Sequence, residues 1–85
     1  MYATRNDAVI DRNAKLDESL FTQAADFEVR YTHKSREEAN RYRRELYSAV
    51  DAVETWPAEI AWPEMPHLET QEEYNASLPP TEALP

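Results

Sequence analysis

Along Phe27 to His33 the apolar and polar positions alternate: Phe27, Val29, Tyr31 and His33 fall between Glu28, Arg30 and Thr32. A period of two predicts a half-buried strand over 27–33. Lys34 breaks the alternation, and Ser35 with Glu38 forms a capping box at the head of a helix. From there Ala39, Tyr42, Leu46, Ala49, Val50 and Val53 recur at steps of three and four. This is one face of an amphipathic helix predicted over 35–55. Pro57 disfavours helical geometry at Trp56 and sets the expected stop. Ala58, Ile60 and Trp62 then alternate with Glu59 and Ala61, which predicts a second short strand over 58–62, closed at each end by a Trp-Pro pair. Upstream, Val9, Leu16, Leu20, Phe21 and Ala24 fit a helical stripe within 6–24, with Asn6 as its cap; Val9-Ile10 also suits a short strand.

The fold expected is therefore α+β. A small strand–helix–strand core carries an N-terminal helix and ends in an extended acidic tail. Residues 1–63 form a single small domain, and residues 64–85 an acidic Pro-rich tail without a periodic apolar face. Leu78-Pro79-Pro80 is set for polyproline geometry and would suit an aromatic groove. Two strands are thin cover for a long helix face, which suggests a homodimer or a partner.

Composition narrows the chemistry. Glycine and cysteine are both absent. Without cysteine there is no disulfide and no thiolate ligand. Without glycine there are no phosphate loops, and proline is expected to end the helices. No apolar run approaches the roughly 20 residues of a membrane span. The opening MYATRNDAVIDRN lacks the basic start and apolar middle of a signal peptide, so a cytoplasmic protein is expected. His33 and His67 have neither a second histidine nor a carboxylate at ligand spacing, and Glu37-Glu38 and Glu72-Glu73 lack a pocket that would shift a proton affinity. No metal, no cofactor and no enzymatic activity are expected.

Charge changes the picture most. Residues 1–29 hold three basic and six acidic groups, residues 30–44 six and two, and residues 45–85 none and nine, giving −8 in all. A basic island thus sits on an acidic chain. Arg36, Arg43, Arg44 and Tyr47 fall on one helix flank, suited either to solvent or to an acidic partner. Nucleic acid is the weaker candidate, because the net charge repels phosphate. Asp51, Glu54, Glu59, Glu64, Glu69, Glu72 and Glu73 form the opposite resource. They suit a basic, nucleic-acid-handling site on a larger protein, where spaced carboxylates imitate phosphates. The same acidity also serves solubility alone. Trp56 and Trp62 either cap the small core or anchor an interface.

The run Phe-Glu-Val-x-Tyr, the capped Glu-Glu-Ala helix and the short following strand resemble the strand–helix–strand core of small phage-encoded proteins. The layout is similar to that of the small RNA-polymerase inhibitor of T7-like phages, over about Phe27 to Trp62. The chain departs from it in having Glu59 and Trp62, and no arginine, on the strand after the helix. The resemblance implies a non-enzymatic protein that binds and alters a larger machine. The expected function is thus an inhibitor or adaptor. The alternatives are nucleic-acid contact through the basic flank and a structural subunit of a larger assembly.

Overall fold

The computed structural model describes residues 1–78, and among them there is neither strand nor sheet; the α+β core expected from the sequence is replaced by an α-helical fold. Four helices follow one another: α1 (Arg5–Glu18), α2 (Phe27–Arg30), α3 (His33–Asp51) and α4 (Gln71–Ser77), with a 3₁₀ turn at Leu20–Gln23. The likeness to the phage inhibitor rested on two strands flanking a helix, and with both strands gone it has no structural footing.

The segment expected as the first strand is α2 and its exit. Phe27 and Tyr31 share a face at period two, but also at period 3.6, where i and i+4 coincide. Their rings stack at 4.6 Å with only 7° between planes, across one helical turn. Val29 separates the two cases. A strand would bury it beside Phe27, whereas α2 leaves it 80% exposed.

The long helix forms as its apolar stripe requires. Ser35, Ala39, Tyr42, Leu46 and Val50 are buried. It begins three residues earlier than the capping box suggested, because the Thr32 hydroxyl accepts from the Ser35 amide at 3.1 Å. It ends at Asp51, short of 55. Val53 and Thr55 are β-branched and weak helix formers. Beyond them, Ala58 is drawn back to Tyr2 by two backbone hydrogen bonds of 2.8 and 3.0 Å.

α1 and α3 run antiparallel. Arg5 meets Asp51, Arg12 lies over Tyr47, and Arg43 reaches the end of α1. Residues 52–70 form an extended strap that returns along the α1–α3 groove. Burial does alternate here as the sequence suggested: Ala58, Ile60 and Trp62 are half-buried, while Glu59 and Ala61 are exposed. The surface they pack on is helical, and among the described residues the strap pairs only through two isolated bridges, Tyr2 with Ala58 and Tyr31 with Thr70. Trp62 packs on a core cluster of Leu16, Tyr42 and Leu46. Its indole N–H donates to the Tyr2 hydroxyl at 2.8 Å, and the two rings meet edge to face at 6.1 Å.

The strap is then fastened over the start of α3. The Ser35 hydroxyl donates to the Glu69 carbonyl at 2.8 Å, and the Thr32 amide donates to the same oxygen. The tail expected to begin at 64 thus starts as packed strap, and 71–77 are the helix α4, capped by the Thr70 hydroxyl, which accepts from the Glu73 amide at 3.1 Å. Pro79 and Pro80 of the polyproline segment lie outside the described residues.

Proline is not what ends α1. Ser19 caps it, and the Arg43 guanidinium donates to the Leu16 carbonyl and to the Ser19 hydroxyl, both at 2.6 Å. In a chain without glycine, the carbonyls left open at a helix end need some other donor. Arg43→Ala is expected to cost about 1–3 kcal/mol, the range for removing a charged partner from part-buried acceptors. The neighbouring Arg44→Ala should stay within about 0.5 kcal/mol. Urea unfolding of the two variants side by side checks this; equal midpoints would refute the capping role.

Candidate interaction surfaces

The expected basic flank is largely turned inward. The Arg36 guanidinium donates to the Ala24 carbonyl, pairs with Glu28 at 3.1 Å and lies 5.5 Å above the Phe27 ring. Its Nε is buried without a partner. Arg43 is the α1 cap. Arg44 is exposed, and Tyr47 is 47% exposed beneath the Arg12 guanidinium, 4.6 Å from its ring centre. The flank is therefore part of the tertiary structure at two of its three arginines.

The same holds for most of the other cations. Lys15 sits over the Trp62 ring, and Arg5, Lys34 and Arg41 pair with Asp51, Glu38 and Glu45. Among the described residues, Arg30 and Arg44 alone have no ion pair, aromatic face or carbonyl partner. The exposed pairs contribute little to stability, but they cancel positive charge at the surface.

The acidic candidates lie differently. Asp51 is exposed beside Arg5, and Glu54 and Glu59 are exposed on the strap, followed by Glu64 and then by Glu72 and Glu73 on α4. Over 52–78 there is no Lys or Arg. Trp56 is half-buried near the start of the strap, and Trp62 is built into the core contact, so Trp62 is an anchor of the fold and not of an outside surface. The named candidates do not converge on one site. They divide into internal struts (Arg36, Arg43, Trp62) and an acidic border (Asp51, Glu54, Glu59), with Arg44, Tyr47 and Trp56 between them.

Histidines do meet carboxylates once the chain folds. His33 lies 3.1 Å from Glu28 and 3.2 Å from Glu37. His67 lies 2.7 Å from Glu73; that hydrogen bond raises the His67 pKa above its ordinary value, with the Glu73, Glu69 and Glu38 charges adding to it, and lowers that of Glu73. Burial, followed by the Asp11 hydrogen bond, raises Tyr2, and burial raises Tyr42. Tyr2 links Trp62 to Asp11 within the fold, whereas the histidine pairs lie at the surface. Among the described residues no three His, Asp or Glu side chains are grouped to hold a metal ion. No helix among them is long and apolar enough to cross a membrane.

One surface escaped the sequence reading. At the corner between α1 and α3, Phe21, Phe27 and Tyr31 cluster with ring centres 4.6 to 6.1 Å apart. They line an open groove of about 420 Å³ with Val29, Asp26 and Arg30 on its edge. Leu20 and Phe21 are 57% and 47% exposed. Leu20 and Phe21 fit the helical stripe of 6–24 by spacing, but the 3₁₀ turn that holds them leaves both exposed.

No family model matches the chain, and neither a curated protein nor a solved structure matches it.

Proposed function

We propose that the chain is a small non-enzymatic binding protein, an inhibitor or adaptor, that presents an acidic surface to a basic site on a larger protein. The observation that carries this reading is the unequal use of charge. Arg36 and Arg43 are taken up inside the chain and Arg5, Lys34 and Arg41 are paired with carboxylates at the surface, while Glu54, Glu59, Glu64 and Glu72 stand exposed on a segment without Lys or Arg. Charge complementarity of this kind speeds encounter and rejects like-charged partners. Nucleic-acid contact is disfavoured on the same ground, because Arg36 and Arg43 are already engaged inside the chain.

The test is a nuclease-treated pull-down at low and moderate salt with wild type and a Glu54→Gln/Glu59→Gln/Glu64→Gln variant. The expected result is one basic protein retained by the wild type at moderate salt and lost by the variant. An empty eluate, or equal retention by the variant, would overturn the reading.

A further inference from the structure

We propose that the aromatic corner of Leu20, Phe21, Phe27, Val29 and Tyr31 is a docking site for the apolar face of a basic amphipathic helix of the partner. This rests on the acidic-surface reading above and names the chemistry of what is bound.

The first argument is apolar area in the wrong place. The buried apolar residues are few (Ala8, Leu16, Phe27, Ala39, Tyr42, Leu46 and Val50). A chain this small gains from every apolar side chain it can cover. Yet Val29 is 80% and Phe21 47% exposed on one groove, and Leu20, next to Phe21 in the chain, is 57% exposed. Apolar groups gathered on one patch mark an interaction site more often than scattered ones do.

The second argument is that the groove is held in shape. Gln71 of α4 donates from Nε2 to the carbonyls of Glu28 and Tyr31, at 3.2 and 3.0 Å, closing the exit of α2. Arg36 fixes Phe27 from behind, and Phe27 fixes Tyr31 by stacking. Walls already ordered lose little conformational entropy when a ligand enters. A second hollow, between Tyr31 and α4, adjoins the first along Val29 and Arg30, so the apolar ridge can engage side chains spaced by one helical turn.

The occupant follows from charge. Asp26 and Glu72 border the two hollows against one cation, Arg30. Glu69 and Glu73 adjoin them in sequence, Glu73 paired with His67, on a chain of net charge −8. A second copy would bring the same acidic border against itself, and a nucleic acid or anionic bilayer would be repelled. A helix with leucine-like residues on one face and lysine or arginine beside them satisfies both the groove and its border.

The test uses a fluorescently labelled synthetic 14-residue leucine–lysine amphipathic peptide and the matching leucine–glutamate peptide, read by anisotropy at moderate salt. Leu20→Ser/Val29→Ser alters two exposed side chains, and circular dichroism confirms that it folds. Wild type is expected to bind the lysine peptide saturably and the glutamate peptide not at all. The double variant should bind at least tenfold more weakly. Equal binding by the double variant, with loss in Glu54→Gln/Glu59→Gln/Glu64→Gln, would overturn the corner and leave the acidic reading standing. No binding by wild type would overturn both. Equal binding of the two peptides would overturn the choice of a basic occupant. A wild-type dimer in sedimentation, dissolved by the double variant, would assign the corner to a second copy instead.

Discussion

Replacing Leu46 by alanine is expected to lower the unfolding free energy by about 3 kcal/mol, and by no less than about 2, the lower end for a buried leucine. Leu46 is fully buried, at the centre of the cluster that joins α1, α3 and the strap. Removing its branch leaves Leu16, Tyr42 and Trp62 facing a void. At the usual ~0.05–0.15 kcal/mol per residue, a chain of this size has roughly 4–13 kcal/mol in total. The loss is thus a large share of what holds the fold. With a urea slope of about 1 kcal/mol/M, the midpoint should fall by about 3 M. Leu20→Ala, at a 57% exposed position, should stay within about 0.5 kcal/mol. A Leu46→Ala midpoint within about 1 M of wild type would mean that the core lies elsewhere.

The same contrast explains what could be seen in the sequence. α3 was legible because one stripe, Ala39, Tyr42, Leu46 and Val50, admits a single period. Phe27 and Tyr31 were not, because positions four apart satisfy both helix and strand, and only the exposure of Val29 decides between them. The alternation at Ala58, Ile60 and Trp62 does mark a half-buried face, but not the strand expected there. It was assigned to a sheet because period-two burial on a helical groove has the same pattern. The arginines were the hardest. Arg43 finds its acceptors 27 and 24 residues away, and no local spacing carries that information. The missing glycine was the one available clue: α1 needed a donor for its last carbonyls, and a long basic side chain supplies one from a neighbouring helix. The acidic border was legible in full, since a run without Lys or Arg stays acidic however it folds.

The strap makes the second large effect. Trp62→Ala is expected to cost about 2–3 kcal/mol, less than the ~3–5 of a fully buried tryptophan because this indole is only half-buried. Four contacts go with it, one of them the Lys15 ammonium over the ring. The ring leaves the Leu16–Tyr42–Leu46 cluster. The edge-to-face contact with Tyr2 is lost, worth about 0.5–1.5 kcal/mol beyond area. The Tyr2 hydroxyl loses its donor and keeps only its own bond to Asp11, at 2.7 Å. Trp62→Phe separates these effects: it keeps a ring against the cluster and removes the N–H, so it should cost about 1 kcal/mol. The loss should also be local before it is global. Residues 52–70 have no secondary structure of their own, and their hold is Tyr2 and Trp62 at one end and Glu69 and Gln71 at the other. With one fastening gone, amides of the strap should exchange faster than those of α3, and protease should cut between Pro57 and Pro66 while α1 and α3 remain intact. Cleavage no faster than in wild type would show that the strap is held without Trp62. It would then be fastened by the Tyr2–Ala58 backbone pair at one end and, at the other, by the Glu69 carbonyl, which accepts from both Thr32 and Ser35.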